Sequence, residues 1–228
     1  MALIKTIQLK KTYDLGKTRV AALKGVDLAI RRGEFVTIAG PSGSGKSTLL
    51  SLLGCLDRPS SGEVWIDGRA TGNLKERDRN RLRLRTLGFV FQSFNLIPVL
   101  NVYENIELPL LLLPDVSPRQ RHERVLKLIE ETGLEGQVKQ RPAELSGGQQ
   151  QRVAVARALA TDPSIVLADE PTANLDSATG VAVIDLMHRI NKEAGVTFIF
   201  SSHDSKIIDR ADHVVHLADG LVENGGRP

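Results

Sequence analysis

Cysteine is nearly absent from this 228-residue chain, and aromatic residues make up only 4% of it. Cys55 is the single cysteine, so no internal disulfide can form, which fits a reducing compartment. Long apolar runs are also missing: residues 108–113 are interrupted by Pro109, whereas a membrane-spanning helix needs about 20 apolar residues. The N-terminal residues lack the apolar region of a secretory signal peptide. We expect a chain that does not cross a membrane by itself.

The charge balance is nearly even, with 30 basic and 27 acidic side chains and a net charge of +3. Hydrophobic residues form 41% and charged residues 25% of the chain, values of an ordinary globular protein. Most of the basic excess lies in residues 75–85, where six Lys or Arg accompany Glu76 and Asp78. This segment is compatible with nucleic-acid binding. The scarcity of aromatic residues favours a solvated, arginine-rich helix face instead.

Two kinds of strand pattern are present. Residues 4–9 and 20–30 alternate apolar and polar side chains, which predicts an antiparallel patch in the first part of the chain. Fully apolar segments, typical of buried parallel strands, occupy residues 35–39, 87–91, 165–168 and 197–200. Helical patterns occupy residues 48–56, 73–85, 149–160 and 177–194, and a further helix begins at Ser117-Pro118 and ends at Gly133. This alternation predicts an α/β fold around a mainly parallel sheet.

A glycine-rich loop follows the predicted strand at residues 35–39 and precedes a helix, with the spacing of a Walker A pattern. Glycines let successive backbone N–H groups converge on phosphate oxygens, and the following helix presents its positive end to the same anion. Lys46 would supply a charge for the β- and γ-phosphates, and Ser47 a hydroxyl for Mg²⁺. The predicted nucleotide-binding residues here are Gly40, Pro41, Ser42, Gly43, Ser44, Gly45, Lys46, Ser47 and Thr48.

Two carboxylates end the apolar strand predicted at residues 165–168. Ligands of a doubly wound sheet bind at the carboxyl ends of its strands. Alone, Asp169 and Glu170 could equally be solvated acids, but together with the phosphate loop they form a Walker B pattern. Asp169 is then the predicted Mg²⁺ ligand. Glu170 is the predicted general base or water-orienting group.

A second candidate anion site lies at Leu145-Ser146-Gly147-Gly148-Gln149, where a serine hydroxyl and two glycine amides open a predicted helix. By this signature the chain resembles the nucleotide-binding subunits of ATP-binding-cassette (ABC) transporters over essentially its whole length. The resemblance implies an ATPase that uses ATP and Mg²⁺. It implies a P-loop NTPase cassette with a mainly parallel core, an N-terminal antiparallel β patch and a helical subdomain. One domain, 1–228, would contain the core at 1–91 and 163–228 and the helical subdomain at about 92–162.

The same resemblance assigns roles to residues that would be ordinary alone. Tyr13 matches the aromatic residue that stacks on adenine, Gln92 the glutamine that contacts Mg²⁺ and signals to the membrane partner, and His203 the histidine that contacts the γ-phosphate. Asn174-Leu175-Asp176 resembles the family's D-loop, which implies nucleotide binding by Asp176, although the family more often has a small residue at Asn174. The implied catalytic residues are Lys46, Gln92, Glu170 and His203, and the implied metal ligands are Ser47, Gln92 and Asp169.

In this family the signature of one subunit, here Ser146, Gly147, Gly148 and Gln149, covers the phosphate loop of another subunit. The sequence offers a physical reason. Charge that develops at the γ-phosphate needs extra positive potential in the transition state, and no arginine stands near Asp169-Glu170 in the chain. We therefore expect two copies to bind two ATP molecules between them and to separate after hydrolysis.

Four further segments are similar to one group of the family, the ATPases of macrolide export, lipoprotein release and cell division. These segments are residues 54–59, 88–96, 104–110 and 145–152. The resemblance implies a separate membrane permease and a peripheral position on the cytoplasmic face of the cell membrane. Docking is expected within residues 92–113. Its apolar side chains would line a groove if exposed, or would pack inside the helical subdomain: Phe94, Leu96, Ile97 and Leu100.

Two other functions are compatible with the sequence. One is a nucleotide-gated regulator of the cell wall or of division that keeps the ATP chemistry without transport. The other, less favoured, is a soluble ABC ATPase that binds nucleic acid through residues 75–85; such proteins usually have two cassettes or a coiled-coil insert, which this chain lacks. Cys55, His213 and His216 are interpreted as structural, since the two histidines fall on opposite faces of a predicted strand.

Overall fold

Strands and helices alternate along residues 2–16, 18–202 and 205–223, which the computed structural model describes. The strands are β1 (Ala2–Leu15), β2 (Thr18–Arg31), β3 (Phe35–Ala39), β4 (Ser61–Ile66), β5 (Arg69–Ala70), β6 (Leu87–Val90), β7 (Ile165–Asp169), β8 (Thr197–Ser202), β9 (His213–Ala218) and β10 (Leu221–Glu223). The helices are α1 (Lys46–Leu53), α2 (Glu76–Thr86), α3 (Val102–Glu107), α4 (Pro118–Thr132), α5 (Gly147–Leu159), α6 (Ser177–Ala194) and α7 (Ser205–Ile208). Short 3-10 turns span Leu108–Leu112, Glu135–Gln137 and Pro142–Glu144.

The strands form two sheets. In the first, the order β2-β1-β4-β5 is antiparallel throughout. In the second, the order is β10-β9-β3-β8-β7-β6, and every neighbouring pair is parallel except β10 with β9. The predicted α/β fold with a parallel core and an N-terminal antiparallel patch is therefore confirmed. β1 and β2 extend beyond the predicted residues. Register shifts, for example between Lys11 and Thr12, interrupt the alternation of apolar and polar side chains, so the sequence pattern does not reveal the full length of these strands.

The central parallel strands are buried on both faces. Every residue of β3 and β8 is buried. On one face Phe35, Phe198 and Phe200 pack in a cluster that includes side chains of α3, α4, α5 and α6. On the other face Ile38 and Ile199 pack with α1 and the antiparallel sheet. Covering both faces explains why these strands are almost continuously apolar.

Several helices end where the sequence signals predict. Ser117 caps α4, because its hydroxyl accepts the Gln120 N–H at 3.3 Å and its own N–H donates to Gln120 Oε1 at 2.9 Å. Gly133 and Gly195 end α4 and α6 in the left-handed conformation, with φ of 66° and 67°. The helix predicted at residues 48–56 is shorter in the structure, since Cys55 has a φ of 53° that an α-helix cannot continue through.

The segment between β6 and β7 contains α3, α4, α5 and the three 3-10 turns. α4 and α5 are joined by polar contacts: Arg124 donates to Leu159 O at 3.0 Å, and Arg152 donates to Thr132 O at 3.0 Å. Apolar side chains of this segment belong to the same buried cluster as one face of the parallel sheet. The helices therefore share a hydrophobic core with the strands that carry the site.

Candidate functional site

The carboxyl ends of β3, β7 and β8 meet at one edge of the parallel sheet. Ala39 is in register with Ser202, and Asp169 with Ser201. This register places the loop at residues 40–47, which follows β3, beside the acidic pair that ends β7. Ser47 Oγ donates to Asp169 Oδ1 at 3.1 Å, so the structure brings together the two halves that the sequence predicted.

The phosphate loop is preformed around a buried lysine. Gly45 precedes α1 with a φ of 106°, and a Cβ at this position would lie 2.6 Å from Ala22 O, so only glycine fits. Lys46 is 7% exposed, and its Nζ donates to the carbonyls of Gly40 and Pro41 at 2.8 and 2.9 Å. An ammonium group has three N–H donors, so one more can reach a phosphate oxygen.

A buried hydroxyl in the same loop also suits an anion. Ser44 is 3% exposed, and its Oγ has no hydrogen-bond partner within the described part of the chain. A buried hydroxyl of this kind is costly unless a ligand or water satisfies it. The rim of the loop is accessible, because Pro41, Ser42, Gly43 and Ser47 are exposed. The loop is suited to receive the phosphates of a nucleotide.

The oxygen atoms at the sheet edge fit a magnesium ion. Ser47 Oγ and Asp169 Oδ1 are hard oxygen donors 3.1 Å apart. Octahedral Mg²⁺, with bonds of about 2.0–2.1 Å, places adjacent ligand oxygens roughly 3 Å apart. Among the described residues no group of three His, Cys, Asp or Glu side chains could hold a metal, so the other ligands of such an ion would have to come from nucleotide and water.

The residue after Asp169 has an unusual backbone. Glu170 has a φ of 46°, a left-handed value that is uncommon for a residue with a side chain. Its N–H donates to both the carbonyl and the hydroxyl of Ser201, at 3.2 and 3.0 Å. Sequence reasoning missed Ser201. The available signal was a polar residue after the apolar run of β8, on the strand next to the one that carries the acidic pair.

The signature opens α5 as a capped helix start. The Ser146 hydroxyl accepts the Gln149 N–H at 3.3 Å, and the Ser146 N–H donates to Gln149 Oε1 at 2.8 Å. Ser146 is exposed. A Cβ on Gly148 would lie 2.3 Å from Thr179 Cγ2, so glycine lets α5 approach α6 closely. The atoms nearest Gly147 and Gly148 belong to residues other than 40–48, namely Phe94, Asn174, Leu175 and Thr179.

The predicted D-loop contacts the segment that contains Gln92. Asn174 Nδ2 donates to the backbone carbonyl of Gln92 at 3.0 Å, while the Gln92 side chain is exposed. Asp176 caps α6: its Oδ1 accepts the N–H groups of Ala178 and Thr179 at 3.1 and 3.0 Å. Hydrogen bonds from the side chain and backbone of Thr179 hold the pKa of Asp176 below its ordinary value. In this structure Asp176 therefore serves the helix start.

Two side chains fix the backbone after Gln92. Arg157, on α5, donates to Asn95 O at 2.6 Å and to Phe94 O at 2.8 Å, and burial lowers its pKa. Phe94 and Asn95 both have left-handed φ values, of 59° and 50°. Asn105 is fully buried; its Oδ1 accepts the Ile97 N–H at 2.8 Å, and its two amide N–H groups are shared among three carbonyls of residues 97–101. The loop is thus bonded to α5 and α3.

Tyr13 lies beside Thr48 of α1, and its hydroxyl is hydrogen-bonded. It donates to Asp57 Oδ2 at 3.0 Å, and Lys11 Nζ lies 4.8 Å from the centre of its ring. Burial raises the pKa of Tyr13. Burial also tends to raise the pKa of Asp57, but hydrogen bonds from Lys11, the Arg58 backbone and Tyr13 outweigh it and hold that pKa below its ordinary value. Lys11 Nζ and Asp57 Oδ1 are 2.8 Å apart.

Comparison with known proteins decides which family this arrangement represents. Residues 23–173 match the protein family described as ABC transporter. The chain belongs to this family. It is an ATP-binding, ATP-hydrolysing cassette of the kind that forms the ATP-driven subunit of ABC transporters.

Named relatives and a solved structure cover nearly all of the cassette. Lipoprotein-releasing system ATP-binding protein LolD of Legionella pneumophila is 45% identical over 215 residues, 94% of each chain. Macrolide export ATP-binding/permease protein MacB of Syntrophobacter fumaroxidans is 46% identical over 224 residues, 98% of this chain but 31% of MacB. A dimeric, post-hydrolysis structure of the cassette MJ0796 of Methanocaldococcus jannaschii, bound to ADP and Pi, has a TM-score of 0.89 at 45% identity and covers 99% of both chains.

The remaining sequence expectations have different outcomes. His203 lies outside the residues that the structure describes. Cys55 is buried, as expected of a core residue, and burial raises its pKa. His216 is exposed and His213 is half-buried on β9. Within the described ranges, no helix of the cassette has the length and apolar character that crossing a bilayer requires.

The apolar groove differs from the one expected. Phe94, Leu96, Ile97 and Leu100 are half-buried rather than exposed, and Leu96 packs against the main cluster. The groove of the cassette lies instead between α2 and the 3-10 turn at Leu108–Leu112, with a volume of about 1280 Å³. Its apolar lining comes mainly from Leu84, Leu87, Phe89, Phe91, Leu112 and Leu113. α2 contains no buried residue, and four of its five arginines, all except Arg79, line the groove.

Proposed function

We propose that this cassette drives a separate membrane permease by closing, as a pair of identical subunits, around two Mg-ATP. One observation carries the proposal: the phosphate loop and the Walker B acid meet at 3.1 Å, whereas the signature glycines are contacted by the D-loop segment and α6 of their own chain. The exposed Ser146 at the start of α5 is therefore available to a second subunit. The similar structure of MJ0796 is a dimer bound to ADP and Pi.

Within one subunit, residues of the sheet edge would bind the nucleotide. The backbone of residues 40–48 would hold the phosphates at the start of α1, where the helix dipole favours an anion. Lys46 would turn its remaining N–H donor to the β- and γ-phosphates. Ser47, Asp169 and Gln92 would hold Mg²⁺, which when bound neutralises charge on the phosphate oxygens.

Hydrolysis needs a group that orients water. Glu170 is the proposed general base, because its backbone leaves β7 directly after the magnesium-binding carboxylate. His203 is proposed to contact the γ-phosphate from the end of β8. Across the interface, Ser146, Gly147, Gly148 and Gln149 would supply hydrogen bonds and the positive end of α5 to the γ-phosphate. Asp176 would lie at the same interface, since it caps α6 beside the signature helix.

Tyr13 is the proposed adenine contact. Its ring is held at the edge by Asp57 and approached by Lys11. A base would stack on the face of the ring that Lys11 does not cover. Because the hydroxyl is already bonded, the ring has little rotational freedom to lose when a base binds.

The groove beside α2 is the proposed seat of the permease. Its lining is mainly apolar and includes Lys75, Arg77, Arg81, Arg83, Arg85 and Arg157, with Asp78 as the one acid among the lining residues. Arg85 is also paired with Asp115, and Arg157 with backbone carbonyls. A complementary partner is a cytoplasmic helix with apolar side chains on one face and acidic side chains beside them. The cassette would then be held at the cytoplasmic face of the membrane by its partner.

The group of relatives favours export or mechanical transmission to an extracytoplasmic domain. MacB and LolD are named for macrolide export and lipoprotein release. A regulatory ABC ATPase without transport would use the same site and groove. A nucleic-acid function is less favoured, because the arginines of α2 surround an apolar groove.

We further propose that residues 92–162 act as a helical subdomain of a single ABC domain, with the core at residues 1–91 and 163–228.

Replacing Glu170 by Gln tests the proposal. The variant should bind ATP, hydrolyse it at least about 100-fold more slowly than the unchanged chain, and accumulate as a dimer with Mg-ATP in light scattering. Lys46→Ala serves as the comparison and should lose ATP affinity and remain monomeric. Normal turnover of Glu170→Gln would remove Glu170 from its role. A strictly monomeric Glu170→Gln at saturating Mg-ATP would contradict the two-subunit site.

A further inference from the structure

Ser201 is a buried hydroxyl at the carboxyl end of β8, outside every motif of the sequence. It lies between Asp169 on β7 and Ile38 on β3. Its side chain is fully buried. A buried hydroxyl is costly unless it is hydrogen-bonded, so its partners show what it is for.

One partner is the proposed metal ligand. A serine hydroxyl has a single proton, and Ser201 donates it to Asp169 Oδ1. The same carboxylate oxygen accepts from Ser47 at 3.1 Å. Ser47 is exposed and can turn its oxygen toward a cation, whereas Ser201 is enclosed between two strands. The bond from Ser201 therefore fixes the orientation of Asp169 from the protein side.

The other partner is the backbone of the proposed base. The Glu170 N–H donates to the carbonyl and to the hydroxyl of Ser201, at 3.2 and 3.0 Å. This shared hydrogen bond holds Glu170 in the left-handed conformation with φ of 46°. Left-handed residues with side chains persist only where surrounding contacts determine them. Ser201 thus sets the direction in which the chain leaves β7.

We propose that Ser201 is a positioning residue of the ATPase site, whose single hydroxyl orients the metal-binding carboxylate of Asp169 and the backbone of the base Glu170. The inference rests on the proposed function, because Ser201 acts only through these two residues. Residues that orient a metal ligand commonly contribute about 10- to 100-fold to metal affinity or activity.

Metal affinity can be measured separately from turnover. Mn²⁺, which is visible by electron paramagnetic resonance, would be titrated onto the full chain saturated with ADP. Ser201→Ala should raise the Mn²⁺ dissociation constant about 10-fold and lower kcat by about as much. KM for ATP should change less than kcat. Ser201→Thr keeps the hydroxyl on a side chain suited to a strand. Its Mn²⁺ dissociation constant and its kcat should therefore be close to those of the unchanged chain.

Thr37→Val is the matched control. Thr37 lies on neighbouring β3, is fully buried, and its Oγ1 has no hydrogen-bond partner within the described residues. Removing this hydroxyl should leave Mn²⁺ affinity and kcat unchanged. If Ser201→Ala fails to fold, Ser201→Cys keeps the volume and lacks a strong donor, and thermal unfolding reports whether each variant is intact.

The outcomes separate this inference from the proposed function. Mn²⁺ affinity in Ser201→Ala or Ser201→Cys equal to that in Thr37→Val would overturn the inference, as would a Ser201→Thr variant as weak as Ser201→Ala. Asp169→Asn should abolish Mn²⁺ binding to the protein. Retained Mn²⁺ affinity in Asp169→Asn would overturn the proposed metal site, and the role of Ser201 with it.

Discussion

At the scale of single residues, buried or half-buried polar side chains make the contacts that give the site its shape. Asp57 illustrates this away from the phosphate loop. It accepts hydrogen bonds from Lys11 and Tyr13, and so joins β1 to the segment after α1. Because its pKa is held below the ordinary 3.8, this carboxylate favours the folded state only while it is ionised.

Asp57 predicts a specific loss of stability in acid. A carboxylate whose folded pKa is depressed contributes its full stabilisation above the unfolded pKa and loses it as pH falls through the folded pKa. Asp57→Asn should therefore be less stable than the unchanged chain at pH 7, and the difference should shrink below about pH 4. Urea unfolding midpoints at pH 7 and pH 3 measure it. Lys11→Met should act on the same contact, so the two changes together should be less than additive.

A difference between Asp57→Asn and the unchanged chain that is equally large at pH 3 would show that the carboxylate charge is not what stabilises the fold. The same variant has a second use. If Asp57 holds the Tyr13 ring in position through its hydroxyl, Asp57→Asn should also lower nucleotide affinity, although no residue of the phosphate loop is changed.

At the scale of elements, α5 approaches α6 closely at Gly148. A Cβ at this position would lie 2.3 Å from Thr179 Cγ2. Gly148→Ala should therefore destabilise the protein by about 1–3 kcal/mol, which lowers Tm by roughly 2–4 °C per kcal/mol for a chain of this size. Differential scanning calorimetry measures the shift.

Thr179→Ser provides the rescue, because it removes the methyl group and keeps the hydroxyl that bonds Asp176. The double variant Gly148→Ala with Thr179→Ser should recover most of the lost Tm. Failure of this recovery would place the strain elsewhere on α5. Since Asp176 retains its partner in both backgrounds, its cap is constant across the series.

The elements themselves show where sequence reasoning succeeds. Buried strands β3, β7 and β8 and the helix stops at Gly133 and Gly195 follow from local patterns, because burial on two faces and left-handed C-caps leave direct marks in the sequence. The phosphate loop and Asp169 can also be paired from the sequence, because each follows an apolar strand and the carboxyl ends of parallel strands share one edge of the sheet.

Other features depend on contacts between distant segments. The role of Ser201 arises only because β8 lies beside β7, an order that its own residues do not encode. The groove arises because α2 runs opposite the 3-10 turn at Leu108–Leu112. The sequence leaves open whether Phe94 and Ile97 are exposed or packed inside the helical segment, because their half-buried positions depend on the bonds that Arg157 and Asn105 make to this loop.

At the scale of the whole molecule, the groove is expected to decide where the cassette binds in the cell. Leu112 lines the groove and is 66% exposed, whereas neighbouring Leu111 is 54% exposed and does not line it. Leu112→Asp should release the protein from the membrane fraction while basal ATP hydrolysis continues, because a charge in an apolar contact is costly. Membrane fractionation of cells that express the protein with its natural partner measures this.

Leu111→Asp is the matched control and should remain with the membranes. Release of both variants would indicate a general surface effect, and retention of Leu112→Asp would place the permease elsewhere. Arg81→Glu should reproduce the effect of Leu112→Asp if the partner helix is acidic, since both residues line the same groove.

Arg157 connects the signature helix α5 with the groove beside α2. It belongs to the helix that begins with the signature, it binds the carbonyls of Phe94 and Asn95, and with Asn95 it lines the groove. If contact with a second subunit rotated α5, this guanidinium and the loop would move with it. Under the proposed function, closure of the nucleotide interface would then reshape the wall of the groove, and a permease that held this wall still would resist closure in return.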